Sequence, residues 1–329
     1  MSGEVQGIST ELATILGQSD PVDRAREWLE FVDSIDPSQM EKVVSAFRLG
    51  KLEIHRSEYE ILFGQWAKDR PEEALAYIAR ELPTGDFERG TVLTQWAESD
   101  YLSALSWANR NPSGQGGLNN SILYVAKGIA GSQPALAAQL LESQPAIRER
   151  PSILGQVIPQ VLSLGPDEAK LWPDYFENPD LKAVATSKLA AALVRDSPED
   201  TMRWIAEMDG PGRDMAYRDA VSALAATDTE AALGYALAAP EGSARDEAFS
   251  GLVRSTAQRD PQKAAAIIDA YPEIATDTSV QGLVWFAAQR DPALGAEYLN
   301  RIEEPQALET SLRTLTANWR RRDPEALES

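Results

Sequence analysis

The sequence predicts an all-α protein, an α-solenoid (superhelix) of about nine helix-turn-helix repeats of roughly 31 residues. Three observations predict it. An Asp-Pro signal or its equivalent recurs, at nearly constant intervals, at Pro71, Tyr101, Pro134, Pro166, Pro198, Thr229, Pro261, Pro292 and Pro324. Apolar residues hold fixed offsets before these anchors. As far as Pro292, a small residue stands three positions after each anchor and a large one six positions after it.

The chain opens with an expected N-terminal helical cap, residues 1–56. It holds three helical stretches: "GEVQGISTELATILG", "DPVDRAREWLEFVDSI" and "DPSQMEKVVSAFRLG". The prolines of the last two, Pro21 and Pro37, stand only half a repeat apart, too close for a helix pair between them. Ser57 with Glu60 spells a capping box that would open the helical-repeat array, residues 57–329.

Each anchor reads as a helix start. Asp100, Asp228, Asp260, Asp291, Asp323 and Ser197 precede their anchors, and such side chains accept hydrogen bonds from the free amides of a new helix. Proline suits the first helical position, where its missing N–H costs nothing. Acids follow, among them Glu72, Glu73, Glu199 and Asp200, matched to the positive end of the helix dipole. The second helix of each pair should run about 11–13 residues, within the ordinary length range. It should end near a further proline: Pro83, Pro112, Pro145, Pro211, Pro240, Pro272 or Pro305.

The columns define the buried faces. Nine positions before the anchors stand Leu62, Val92, Val125, Val157, Leu189, Ala220, Leu252, Leu283 and Leu315. Offsets −9, −8, −5 and −4 form one face of an α-helix. Offset +3 reads Ala74, Ala104, Ala137, Ala169, Thr201, Ala232, Ala264 and Gly295, so paired helices can approach closely there. Trp66, Trp96, Trp107, Trp204 and Trp319 fall on packing positions and read as core. The stretch 150–180 departs most, with Pro159 expected inside its first helix and Pro173 inside its second, each bending its helix. The chain would end a few residues into a ninth second helix, "DPEALES".

Composition excludes much chemistry. There are no cysteines and one histidine, His55. Thiolate chemistry, Cys-ligated zinc and multi-His metal sites are therefore ruled out. His55 and Glu58 make a lone ligand pair, read as a loop histidine. "SGQGGLNN", residues 113–120, follows a helix and lacks the third glycine of a dinucleotide fingerprint, so it reads as a long loop. A net charge of −20 repels phosphate backbones, so no nucleic-acid binding is expected, and a basic partner would be favoured. No long apolar run predicts membrane insertion. The opening "MSGEVQGISTEL" has no basic and apolar leader regions. The sequence as it stands is thus expected in the cytoplasm, or in the periplasm or outside the cell if a signal once preceded it. Arg320, Arg321 and Arg322 read as cations offsetting the negative end of the last full helix.

The phrase "WAESDYLSALSWANRNP" resembles the middle of a tetratricopeptide repeat: an aromatic-rich first helix, a short acidic turn and an alanine in the second helix. The period of that family is a few positions longer than the one here. The pattern W-A-x-x-D-P-x-x-A also resembles bacterial helical-repeat proteins. These resemblances imply a right-handed superhelix whose first helices line a concave surface, a role in protein or peptide binding, and no catalytic residue.

The functional expectation is therefore a non-enzymatic scaffold with no cofactor and no metal. A structural subunit of a larger assembly is one alternative, and a carboxylate-dependent hydrolase the less favoured one. Two aromatic pairs are candidate partner contacts. Trp285 and Phe286 occupy offsets −7 and −6, where every other repeat has polar or small residues. They would form a hot spot on the groove or else turn inward beside Ala287 and Ala288. Tyr175 and Phe176, in "KLWPDYFENPD", would be exposed by the proline bends or would fill the gap those bends leave.

Overall fold

The computed structural model describes residues 3–49, 55–114, 119–144 and 151–322. The last anchor, Pro324, and positions 115–118 of the glycine-rich loop lie outside the described residues. Among those described, nineteen α-helices and short 3₁₀ turns make up the fold, and no strand occurs. The protein is all-α. Internal packing divides it into two units, residues 1–150 and 151–329.

The first unit holds α1 (Gly3–Leu16), α2 (Pro21–Ser34), α3 (Met40–Leu49), α4 (Arg56–Asp69), α5 (Pro71–Glu81), α6 (Asp86–Arg110), α7 (Asn120–Ile129) and α8 (Pro134–Glu142). Helix starts follow local chemistry. Asp20 accepts from the Val22 and Asp23 amides, and Asp36 caps a 3₁₀ turn, Pro37–Gln39, ahead of α3. The expected capping box is displaced: α4 begins with His55 as its N-cap, and the His55 amide donates to Glu58 Oε2 at 2.8 Å. Glu58 also binds Arg24 of α2 at 2.7 Å with both side chains largely buried, and that second partner favours the earlier start over Ser57 and Glu60. The core includes a continuous run of rings, Trp28, Phe47, Tyr59, Phe63, Trp66 and Tyr77, with successive centroids 5.0 to 6.3 Å apart.

The turns between paired helices share one device. The residue before the anchor leaves helical geometry and the chain re-enters a helix at once. Its φ lies between −146° and −137° at Arg70, Asp100, Gln133, Ser197, Asp228, Asp260 and Asp291. At Asp100 the break is so brief that both helices run on as α6. The ring of a following proline disfavours helical geometry at the residue before it, and Asp100 and Asp228, followed by Tyr101 and Thr229, make the same break without one. Asp228, Asp260 and Asp291 cap as expected. Ser197 does not: its carbonyl accepts from the Thr201 amide and hydroxyl, and its own side chain caps nothing.

The second unit begins irregularly, with a 3₁₀ turn Pro151–Gln156, α9 (Ile158–Leu162), α10 (Pro166–Ala169) and a 3₁₀ turn Trp172–Tyr175. Here the expectation of bent helices is corrected. Pro159 and Pro173 each sit at the start of a short helical piece, because neither can donate to a preceding turn. Regular pairs follow: α11 (Pro179–Leu193) with α12 (Pro198–Ala206), α13 (Pro211–Ala225) with α14 (Thr229–Ala238), α15 (Ser243–Arg259) with α16 (Pro261–Ala270), and α17 (Asp277–Arg290) with α18 (Pro292–Leu299). Then comes α19 (Pro305–Arg322). Apart from the four-residue α10, separately formed second helices run 8 to 11 residues, and all but α5 fall short of the expected length. Pro211 and Pro305 open the next helix rather than closing the last.

First helices pack in succession, α11 on α13, α13 on α15, α15 on α17 and α17 on α19, and each second helix lies against the first helices on either side of it in sequence. Every residue of the −9 column is at most 2% exposed. The +3 column is buried throughout. Trp66 and Trp96 are core, whereas Trp107, Trp204 and Trp319 are half-buried. Arg259 at the end of α15 donates to the Ala225 and Ala226 carbonyls that close α13, and Arg290 at the end of α17 donates to the Arg259 carbonyl. Each such arginine satisfies orphan acceptors on the preceding first helix.

Candidate functional site

In the second unit a groove of about 450 Å³ crosses four successive first helices. Arg218 of α13, Glu247, Ser250 and Arg254 of α15, Gln281, Gly282, Trp285 and Phe286 of α17, and Thr310, Ser311 and Thr314 of α19 line it. The helical period builds this surface. Offsets −9, −8, −5 and −4 turn into the core, and offsets −7, −11 and −14, one helical stripe, line the groove.

Trp285 is 54% exposed, the most exposed aromatic among the large apolar residues left open to solvent. Phe286 is half-buried and packs against the core of the unit. The pair therefore splits: one ring faces the groove, the other anchors its floor. Arg254 occupies on α15 the position Trp285 holds on α17, seven residues before an anchor. It is exposed, and its aliphatic stem lies over Gly282, where an added Cβ would stand 3.5 Å from Arg254 Cβ.

Charges at the other end of the groove are already engaged. Arg218 donates to Asp219 Oδ1 at 3.0 Å and to Glu247 at 3.3 Å. Asp219 accepts from the Ser187 hydroxyl at 2.5 Å and from Lys188 at 3.0 Å, both on α11. Burial alone would push the Asp219 carboxyl up, but these donors and the Arg218 charge outweigh it and hold the carboxyl below the usual range. On the α19 wall, the Thr310 and Thr314 hydroxyls donate to carbonyls one turn earlier in the helix, leaving their oxygens open to accept.

The other predicted pair lies elsewhere. Tyr175 is 39% exposed at the end of its 3₁₀ turn. Phe176 is a correction: it is 4% exposed and meets Trp172 edge-on, centroids 5.1 Å apart, so it fills the space left by the broken helices and presents nothing to a partner. Neither lines the Trp285 groove. Lys170, Pro173, Trp204, Met208 and Met215 line a second groove of about 540 Å³ beside that turn.

Sequence reasoning missed Arg254, Arg218 and the α19 hydroxyls. Arg254 carried a signal, its shared offset with Trp285, but one arginine among polar residues does not stand out. Among the described residues no group of three His, Cys, Asp or Glu is placed to hold a metal, and Glu58 beside His55 is committed to Arg24. No described helix is long and apolar enough to cross a membrane. No family model matches the sequence, and no curated protein matches it.

Proposed function

We propose that the protein is a helical-repeat scaffold for protein or peptide binding, an α-solenoid of about nine helix pairs whose first helices present the recognition surface. The observation that carries the reading is Trp285, a large ring left open to water over a groove built from four successive first helices. An exposed Trp beside a groove is the composition of an interface anchor, because indole brings much apolar area at low rotamer cost. Succession of first helices supports the repeat reading, since each one buries its apolar stripe on the next and leaves the outer positions free to vary.

The test is affinity capture with the native chain and with Trp285→Ala, followed by mass spectrometry. Captured proteins are then purified and titrated against both chains. Binding by the native chain that falls at least about tenfold in the variant, at unchanged thermal midpoint, supports the scaffold reading. Loss of folding in the variant, or equal binding by both, removes the groove from it.

A further inference from the structure

We propose that the groove across α13, α15, α17 and α19 takes an extended acidic segment of a partner chain, with a carboxylate side chain and a large apolar side chain three residues apart. The inference rests on the scaffold reading above and names its ligand. Net charge argues the other way at first sight, because a chain of −20 favours basic partners. Long-range repulsion between exposed charges is screened beyond about 8 Å at physiological salt, however, so the charges lining the groove decide what sits in it.

Those charges are two arginines and one glutamate. Arg218 and Glu247 bind each other, and Arg218 also holds Asp219. Arg254 remains, and among the described residues no carboxylate pairs with it. Its exposed guanidinium presents a planar fork that matches a carboxylate with two parallel hydrogen bonds.

Spacing fixes the rest. Arg254 and Trp285 stand at equivalent positions on neighbouring packed helices, and helix axes pack about 8–10 Å apart. Residues three apart in a polyproline II segment project to one side about 9 Å apart, whereas residues two apart in a β-strand span only about 7 Å. A polyproline II segment therefore seats its carboxylate on Arg254 and its apolar side chain on Trp285. Such a backbone has no internal hydrogen bonds, and the Thr310 and Thr314 oxygens can accept from its free amides.

End-blocked, fluorescein-labelled peptides with the cores Glu-Pro-Pro-Phe and Phe-Pro-Pro-Glu cover both chain directions. Titration against the full chain by fluorescence anisotropy should show binding for one of them. Affinity should fall at least about tenfold when Gln replaces the peptide Glu, and likewise in Arg254→Gln and Trp285→Ala, at unchanged thermal midpoint. Arg254→Lys should lose part of the affinity, since it keeps the charge without the fork. Failure of both peptides, or binding indifferent to both protein variants, overturns the proposal. Preference for a Lys-Pro-Pro-Phe core that still needs Trp285 overturns it too while leaving the scaffold reading intact; only loss of every Trp285-dependent partner removes that reading.

Discussion

Replacing Gly251 by alanine should force two helix backbones apart. Gly251 lies mid-way along α15 where that helix crosses α13. An ideal Cβ there would stand 2.3 Å from the carbonyl oxygen of Arg218, 3.0 Å from its carbonyl carbon and 3.2 Å from its Cα. All three are backbone atoms inside a helix, so no rotamer change can clear them. Ordinary contact begins near 3.4 Å, so α13 and α15 must separate locally by about 1 Å. That movement loosens Ala220, Val221, Leu252 and Val253, all fully buried between the helices. Overpacking of this kind costs about 1–3 kcal/mol, and the backbone contact places it at the upper end. Alanine returns about 1 kcal/mol of helix propensity, leaving a net loss of about 2 kcal/mol. Gly282 is the control. It sits one pair later at the same offset, but its nearest neighbour is 3.5 Å away, an ordinary contact. Gly282→Ala should therefore stabilise by about 0.5–1 kcal/mol. Differential scanning calorimetry should show a midpoint about 4–8 °C lower for Gly251→Ala and slightly higher for Gly282→Ala. A Gly251→Ala protein as stable as the native one, or an equal loss in both variants, would refute the close crossing of α13 and α15.

Other expectations follow from the same packing. Ala232→Leu and Ala264→Leu should each cost about 1–3 kcal/mol by urea unfolding, whereas Lys263→Leu, exposed next door, should change stability little. Trp285→Ala should leave the thermal midpoint almost unmoved, while Phe286→Ala should lose about 1–3 kcal/mol, because only the second ring rests on the core. The Asp219 carboxyl is depressed in the folded state, so the unfolded chain binds its proton more readily. Its contribution is therefore present above the unfolded value of about 3.9 and disappears as pH falls through the lower folded value. Asp219→Asn should be less stable than the native chain by about 1–3 kcal/mol at neutral pH, and acid titration should narrow that gap below about pH 4; a constant gap would contradict the assignment.

The sequence by itself determined where helices pair and which faces they bury. A nearly constant spacing of the Asp-Pro anchors marked the tight turns, and the −9 column of aliphatic residues and alanine identified residues that are at most 2% exposed. Such features are legible because burial along a helix obeys a local period, and an Asp-Pro start obeys local backbone chemistry. Tertiary structure decided whatever depends on a neighbour a full repeat away. His55 rather than Ser57 opens α4 because Glu58 also meets Arg24. Gly251 and Gly282 share an offset, yet one touches backbone and the other does not, since the packing of α13 against α15 differs from that of α15 against α17. Trp285 and Phe286 are adjacent aromatic residues that only the rotation of α17 over its neighbours separates into a surface ring and a core ring. Phe176 turns inward because the segment before it breaks into short pieces and leaves space beside Trp172. The residues along one helix fix its period, but the distance and rotation between two helices come from how all their side chains fit together, and that information is spread over the whole unit.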